Sequence, residues 1–286
     1  MNERGQPQAG AHDARRRPWA DLGPRLISAL VLIPATATAV YFGGYALAIV
    51  TGAAFAGAYY EWEAMISGRK GAWPGPLFMA LLVLAGAAYP WGGGMATATV
   101  LLLGIGAAAL VGGERWRWRI AGIAYFGAAT FAVLSIRGET TTGMLAAVYL
   151  GLVIWMTDSA AFFAGRQMGG AKLSPDISPG KTWSGAFGGL ALGAGSGVAY
   201  WLIATDSPWW IGLVLSVAGS VAGQLGDLAE SAVKRHFRIK DSGDIIPGHG
   251  GFMDRLDSLV AGALLMLLVG VLHSGFGRVG EGILVW

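Results

Sequence analysis

Apolar residues in this chain come in long runs, not in alternation. The runs are Leu26–Phe42, Tyr45–Tyr60, Leu77–Trp91, Met95–Val111, Ile120–Ile136, Met144–Phe163, Trp183–Thr205, Trp209–Leu228 and Ser258–Ser274, joined by short connections. Crossing ~30 Å of hydrocarbon takes about 17 to 25 helical residues. Backbone groups in lipid must find hydrogen-bond partners within the protein, and a helical bundle supplies them. The pattern therefore predicts an all-α, polytopic transmembrane bundle of about nine spans.

Composition agrees. Hydrophobic residues make up 54% and charged residues 13% of the chain, and mean hydropathy is +0.54, values outside the range of soluble globular domains. There is no cysteine, which removes disulfides and thiolate metal ligation. His12, His236, His249 and His273 lack the spacing of a zinc site. The formal net charge of +3 says little about partners, and no nucleic acid is expected among them.

Where the charges fall says more. With nine crossings and a cytoplasmic N-terminus, 18 of the 20 Lys and Arg residues lie on inside loops, and only Arg137 and Arg278 lie outside. Positive residues gather on the cytoplasmic side of membrane proteins. Residues 1–23, with Arg15, Arg16 and Arg17, read as a flexible cytoplasmic arm ahead of an integral-membrane unit over 24–286. A signal peptide is rejected because no small-residue cleavage site precedes a polar mature domain. Gly189, Gly193 and Gly197 recur every four residues within one span, a spacing that lets helices approach closely.

Ionisable groups at or inside the apolar boundary cost ~3 kcal/mol or more each near the bilayer centre, so they are candidates for function. Asp158 sits near the inside end of the sixth run, and Asp227 and Glu230 at the inside end of the eighth. Asp254 and Asp257 repeat that spacing of three before the ninth, and such a spacing shares a helix face. Oxygen ligands without His or Cys favour Mg²⁺, which completes its shell with water and phosphate. The competing reading pairs the acids with Lys234, Arg235 or Arg255 in structural salt bridges.

A second cluster, residues 166–182, lies on the same side. Arg166, Lys172 and Lys181 are cationic, and Ser178 and Thr182 carry hydroxyls beside Pro179. Such groups cradle phosphates. Gly180, Lys181 and Thr182 mimic a Walker A ending, but Pro175 stands where that motif needs Gly. In the stretch Ser231–Asp257, Gly248, Gly250 and Gly251 allow backbone amides to approach an anion near a helix N-terminus. His249 reads either as a contact to phosphate or carboxylate or as a turn residue in water.

At these residues the chain resembles the phosphatidate cytidylyltransferases, or CDP-diacylglycerol synthases. The resemblance runs through Ser231, Lys234, Arg235, Lys240, Asp241, Pro247, His249, Gly250, Gly251, Asp254, Arg255 and Asp257, and takes in Asp158 and Ser178–Thr182. It implies that CTP and phosphatidic acid give CDP-diacylglycerol and pyrophosphate, with Mg²⁺ and a second cation of undisclosed identity. It also implies a homodimer in the inner cell membrane, its site facing the cytoplasm, feeding phospholipid synthesis.

On that resemblance Asp227, Asp254 and Asp257, assisted by Glu230 or Asp158, would bind cations. Lys181, Lys234, Arg235, Lys240 and Arg255 would neutralise phosphate charge, with Ser178, Thr182 and His249 as further phosphate contacts. A CDP-alcohol phosphotransferase needs an Asp-Gly start and an Ala-Arg pair, which HGGFMDRLD lacks. A secondary transporter would place its charges at the midplane and show inverted repeats.

Overall fold

The structure is a computed structural model that describes residues 22–243, 245 and 250–286. It is nearly all helix: α1 (Leu22–Phe42), α2 (Gly44–Ser67), α3 (Gly75–Val111), α4 (Trp116–Arg137), α5 (Thr141–Met168), α6 (Trp183–Ala204), α7 (Trp209–His236), α8 (Met253–Ser274) and a short α9 (Val279–Leu284). Among the described residues, six helical segments are long and apolar enough to cross a membrane: α3, residues 113–137, α5, α6, α7 and α8. The expected arm lies almost wholly outside the described residues.

Helix α3 is one element in outline and two in geometry. At Gly92 and Gly93 the backbone leaves helical values, and Gly93 has φ 61°, a conformation that suits glycine. The Thr97 hydroxyl then donates to the Ala85 carbonyl at 2.9 Å, and Leu81 lies beside Gly104. The two halves fold back antiparallel, as two apolar runs with a glycine break between them require.

Two expectations change. Residues 166–182 are not simply a loop: β1 (Lys172–Ser174) and β2 (Ser178–Thr182) pair antiparallel, so the bundle carries a small β-hairpin. Several helices also outrun their apolar stretches. Helix α7 continues from the expected end at Leu228 to His236, and α2 from Tyr60 to Ser67. Hydrocarbon thickness limits the apolar run, whereas hydrogen bonding lets the helix continue beyond it. Glu230, Lys234 and Arg235 thus sit on helix, with fixed directions.

Packing explains the glycines. A Cβ added at Gly189, Gly193 or Gly197 would lie 2.8 Å from the Thr157 carbonyl oxygen, 2.0 Å from Thr157 Oγ1 or 2.3 Å from Ser216 Oγ. The α6 face is flat because α5 and α7 press on it. Polar ties reinforce the contact: Tyr149 Oη donates to the Gly212 carbonyl at 3.1 Å, and Thr157 Oγ1 to Ser220 Oγ at 2.9 Å. The core is built around Tyr149, Trp201 and Met266 in one half and Phe55, Tyr59, Phe78 and Phe126 in the other. Outward faces carry Leu102, Leu103, Leu110, Ile203 and Leu272, each more than half exposed. Water disfavours such a surface by ~25 cal/mol per Å²; lipid tails do not.

Candidate active site

The acids and bases singled out from the sequence meet where the C-terminal ends of α5 and α7 approach the N-terminal ends of α6 and α8. Strand β2 leads directly into α6, and Thr182 caps that helix: its hydroxyl accepts from the Gly185 amide at 3.1 Å. The cap fixes the neighbouring Lys181, whose Nζ lies 2.6 Å from Asp227 Oδ2 on α7. These side chains are 25% and 33% exposed, so the pair is reachable from outside the bundle. One turn on, the Ser231 hydroxyl faces Asp227 Oδ1 at 3.5 Å.

Deeper in, Lys234 joins α7 to α8. Its Nζ is 3.1 Å from Glu230 Oε1 and pairs with Asp254 Oδ1. The other oxygen of Asp254 accepts from the Ser242 hydroxyl at 2.8 Å and faces the Ser242 amide at 3.3 Å. Asp257, one turn further along α8, is buried and accepts from the Ser258 amide at 2.7 Å. The Ser258 hydroxyl reaches across to Asp158 Oδ1 on α5 at 3.2 Å.

Asp257 also feels the like charges of Glu230, Asp227 and Asp158, and Asp158 feels Lys181 and Arg255. Asp158, Asp227, Glu230 and Asp257 therefore stand on three helices near enough for their charges to interact, with Lys181 paired to Asp227 and Lys234 to Glu230. The spacing of three keeps Asp227 and Glu230 on one side of α7, but with different surroundings: Asp227 is half-open, while Glu230 is buried.

These groups suit a hard cation in chemistry. All the donors are carboxylate oxygens, and both buried oxygens of Glu230 lack a hydrogen-bond partner among the described residues. Lys234 Nζ, 3.1 Å from Glu230 Oε1, supplies their countercharge. Buried carboxylate oxygens need a positive partner, and in this structure Lys234 is that partner for Glu230. Among the described residues no three acidic or histidine side chains are gathered closely enough to hold an ion as they stand; lysine ammonium groups supply the countercharge instead.

The remaining candidates divide. Arg235 is committed to backbone, donating from Nε to the Ile177 carbonyl at 3.1 Å and from Nη1 to that of Ile239 at 2.9 Å. It ties the hairpin turn to the chain leaving α7. Lys240 and Arg255 are exposed, and Ser178 is half-buried opposite Ser174 in the hairpin. Thr182 Oγ1, expected at phosphate, is occupied in capping α6. Arg166 lies over the Phe162 ring at 5.9 Å, and Lys172 sits on the outer strand. His249 lies outside the described residues.

Two residues absent from the sequence reading belong here. Glu61 on α2 is 1% exposed and accepts hydrogen bonds at the start of α8; Ser242 bridges it to Asp254. The signal was present, since Glu61 and Glu63 interrupt an apolar helix as Asp158 does. Glu63 is accounted for by Arg119, whose Nη2 is 2.6 Å from its Oε1.

The profile of the cytidylyltransferase family matches residues 23–273. A phosphatidate cytidylyltransferase of Brucella suis biovar 1 is 38% identical over 260 residues, covering 89% of this chain and 95% of that protein. One from Bacillus subtilis is 43% identical over 137 residues, 48% of this chain and 51% of that protein. Another, from Staphylococcus saprophyticus, is 42% identical over 139 residues, 48% of this chain and 52% of that protein.

Proposed function

The chain belongs to the cytidylyltransferase family, and on that premise we propose that it transfers the cytidylyl group of CTP to phosphatidic acid, giving CDP-diacylglycerol and pyrophosphate. The observation that carries this reading is the pairing of Lys181 with Asp227 and of Lys234 with Glu230 and Asp254 at one end of an apolar bundle. A lipid phosphate is held by its tails at that depth. A site there meets the head group without extracting the lipid, while CTP arrives from water.

In the reaction an oxygen of the lipid phosphate bonds to the α-phosphorus of CTP, and the bond from that phosphorus to the oxygen bridging to the β-phosphorus breaks. Pyrophosphate leaves with those electrons. No dedicated base is needed, because a phosphate monoester with its second pKa at ~6 is largely dianionic near neutral pH. Displacement of this kind depends on alignment and charge neutralisation. Lys181, half-open beside Asp227, turns to the triphosphate; Lys234 steadies Asp254 and Glu230; Lys240 and Arg255, both exposed, meet the leaving pyrophosphate.

Mg²⁺ would be held by Asp227, Asp254 and Asp257 with Glu230 or Asp158, and a second cation would draw on the same carboxylates. When bound, these ions supply further neutralisation of phosphate charge. Arg235 keeps the hairpin and the α7 exit in register around the substrates.

The same proposal covers topology. Counting each half of α3 separately and adding α1 and α2 gives nine crossings in an inner membrane. It places the N-terminus, residues 1–23 and the site in the cytoplasm, with residues 24–286 as the catalytic unit and a homodimer as the assembly. Support comes from the Lys and Arg distribution and from the antiparallel halves of α3.

The test uses purified protein with CTP labelled at the α-phosphorus, phosphatidic acid and Mg²⁺. Label is expected in the lipid phase with one pyrophosphate per label transferred. Chelation by EDTA is expected to stop turnover, and added Mg²⁺ to restore it. Release of CMP would instead mark a CDP-alcohol phosphotransferase, and vesicle uptake of a solute without nucleotide use would mark a transporter.

A further inference from the structure

We propose that Glu61 is a positioning residue for the reaction, gripping the start of α8 from a helix almost two hundred residues away and, through Ser242, setting the direction of Asp254. The inference rests on the cytidylyl-transfer reading of this site.

A helix begins with amide groups that lack intrahelical partners, and a nearby side chain usually accepts from them. At the N-terminus of α8 the N-cap residue is Phe252, which makes no side-chain cap. Glu61 takes that place. Its Oε1 accepts from the Phe252 amide at 3.0 Å and its Oε2 from the Met253 amide at 2.9 Å. A buried carboxylate at a helix N-terminus is favoured by the peptide dipoles as well as by the bonds. Asp254 is the next residue, in the first turn.

The second link runs through Ser242. Its hydroxyl lies 3.0 Å from Glu61 Oε2 and 2.8 Å from Asp254 Oδ2. One hydroxyl carries one proton, so Ser242 serves one carboxylate at a time. When Asp254 turns toward substrate or ion, the hydroxyl can swing to Glu61 and no group is left without a partner. Space around Glu61 is tight: a Cβ at Gly251 would lie 2.5 Å from Glu61 Oε2, and one at Gly243 2.9 Å from Oε1. The two glycines let backbone close over the carboxylate, so the acid is seated, not merely nearby. A shift of about 1 Å at a reacting group costs roughly 10²-fold in rate, which is what this seat prevents.

The experiment compares kcat and KM for Glu61→Gln, Glu61→Asp, Ser242→Ala and the double variant Glu61→Gln/Ser242→Ala, using the full-length chain in proteoliposomes, with thermal unfolding and hydrogen exchange at Phe252 and Met253. Glu61→Gln is expected to lower kcat about 10- to 100-fold while KM for CTP and for phosphatidic acid stays within about threefold. Glu61→Asp, which keeps the charge but is one methylene shorter, should recover part of the loss. Exchange at the two amides should quicken in Glu61→Gln. The double variant should be no slower than Glu61→Gln alone, because both changes break one linkage.

Ser242→Ala tests the same linkage from a half-buried loop position should Glu61→Gln fail to fold. Unchanged kcat in Ser242→Ala or in a folded Glu61→Gln, or fully additive losses, would overturn the proposal. Failure of the native chain to make lipid-soluble cytidine would instead overturn the reading on which it rests.

Discussion

Asp254→Asn is expected to lower turnover by about 10³-fold or more while leaving the bundle folded. The substitution keeps the shape and the contact with Ser242 but removes the charge that meets Lys234. Preorganised charge at a reacting phosphate is worth at least as much as one oxyanion-hole donor, roughly 10²- to 10³-fold, and here an ion ligand goes with it. Stability should change little, because Lys234 retains Glu230 at 3.1 Å and no buried charge is stranded. Turnover at saturating CTP, measured beside thermal unfolding, checks both halves. Near-normal turnover in Asp254→Asn would refute its assignment to the ion centre.

Lys181→Ala should be comparably severe for activity and milder still for stability. Its ammonium belongs to a partly exposed ion pair, with the Lys181 and Asp227 side chains 25% and 33% exposed. Exposed pairs contribute at most about 1 kcal/mol to folding. By contrast, cationic groups placed on a transferring phosphoryl contribute about 10³- to 10⁵-fold to rate. A loss of that order in kcat/KM for CTP, with an unfolding midpoint close to that of the native protein, is the expected pair of results. Lys181→Arg should recover only part of the rate, because the guanidinium is planar and larger than the ammonium it replaces. If Lys181→Ala lost stability and activity in proportion, the lysine would be a structural tie.

Much of this site was legible from the order of residues because it is made of exceptions. Asp158, Asp227 and Glu230 stand at the edges of apolar runs, where a charge is costly, and the spacing of three put acids on shared helix faces. The break at Gly92–Gly93 was likewise visible as a gap between two runs. What stayed hidden depended on distant partners. Glu61 carries the same local signal as Asp158, yet its role is defined by amides at Phe252 and Met253, and periodicity does not reveal which helix end lies opposite. The hairpin at Lys172–Thr182 escaped because three- and five-residue strands have too little alternation to register. The ends of α2 and α7 were placed too early because hydropathy marks where the apolar run stops, and these helices continue beyond it with Glu61, Glu63, Glu230 and Lys234 buried against their neighbours. Thr182 was read for its hydroxyl and its place after Lys181, but a Thr just before a helix caps it.

The convergence of these groups on nucleotide can be measured most directly on the unaltered protein by lysine acylation and mass spectrometry, since the chain has only five lysines: Lys70, Lys172, Lys181, Lys234 and Lys240. With CTP and Mg²⁺ present, Lys181 is expected to become severalfold less reactive, while Lys172 on the outer strand of the same hairpin stays unchanged. Equal reactivity of Lys181 with and without saturating CTP, in a preparation that turns over, would contradict a nucleotide site at the meeting of α5, α6, α7 and α8.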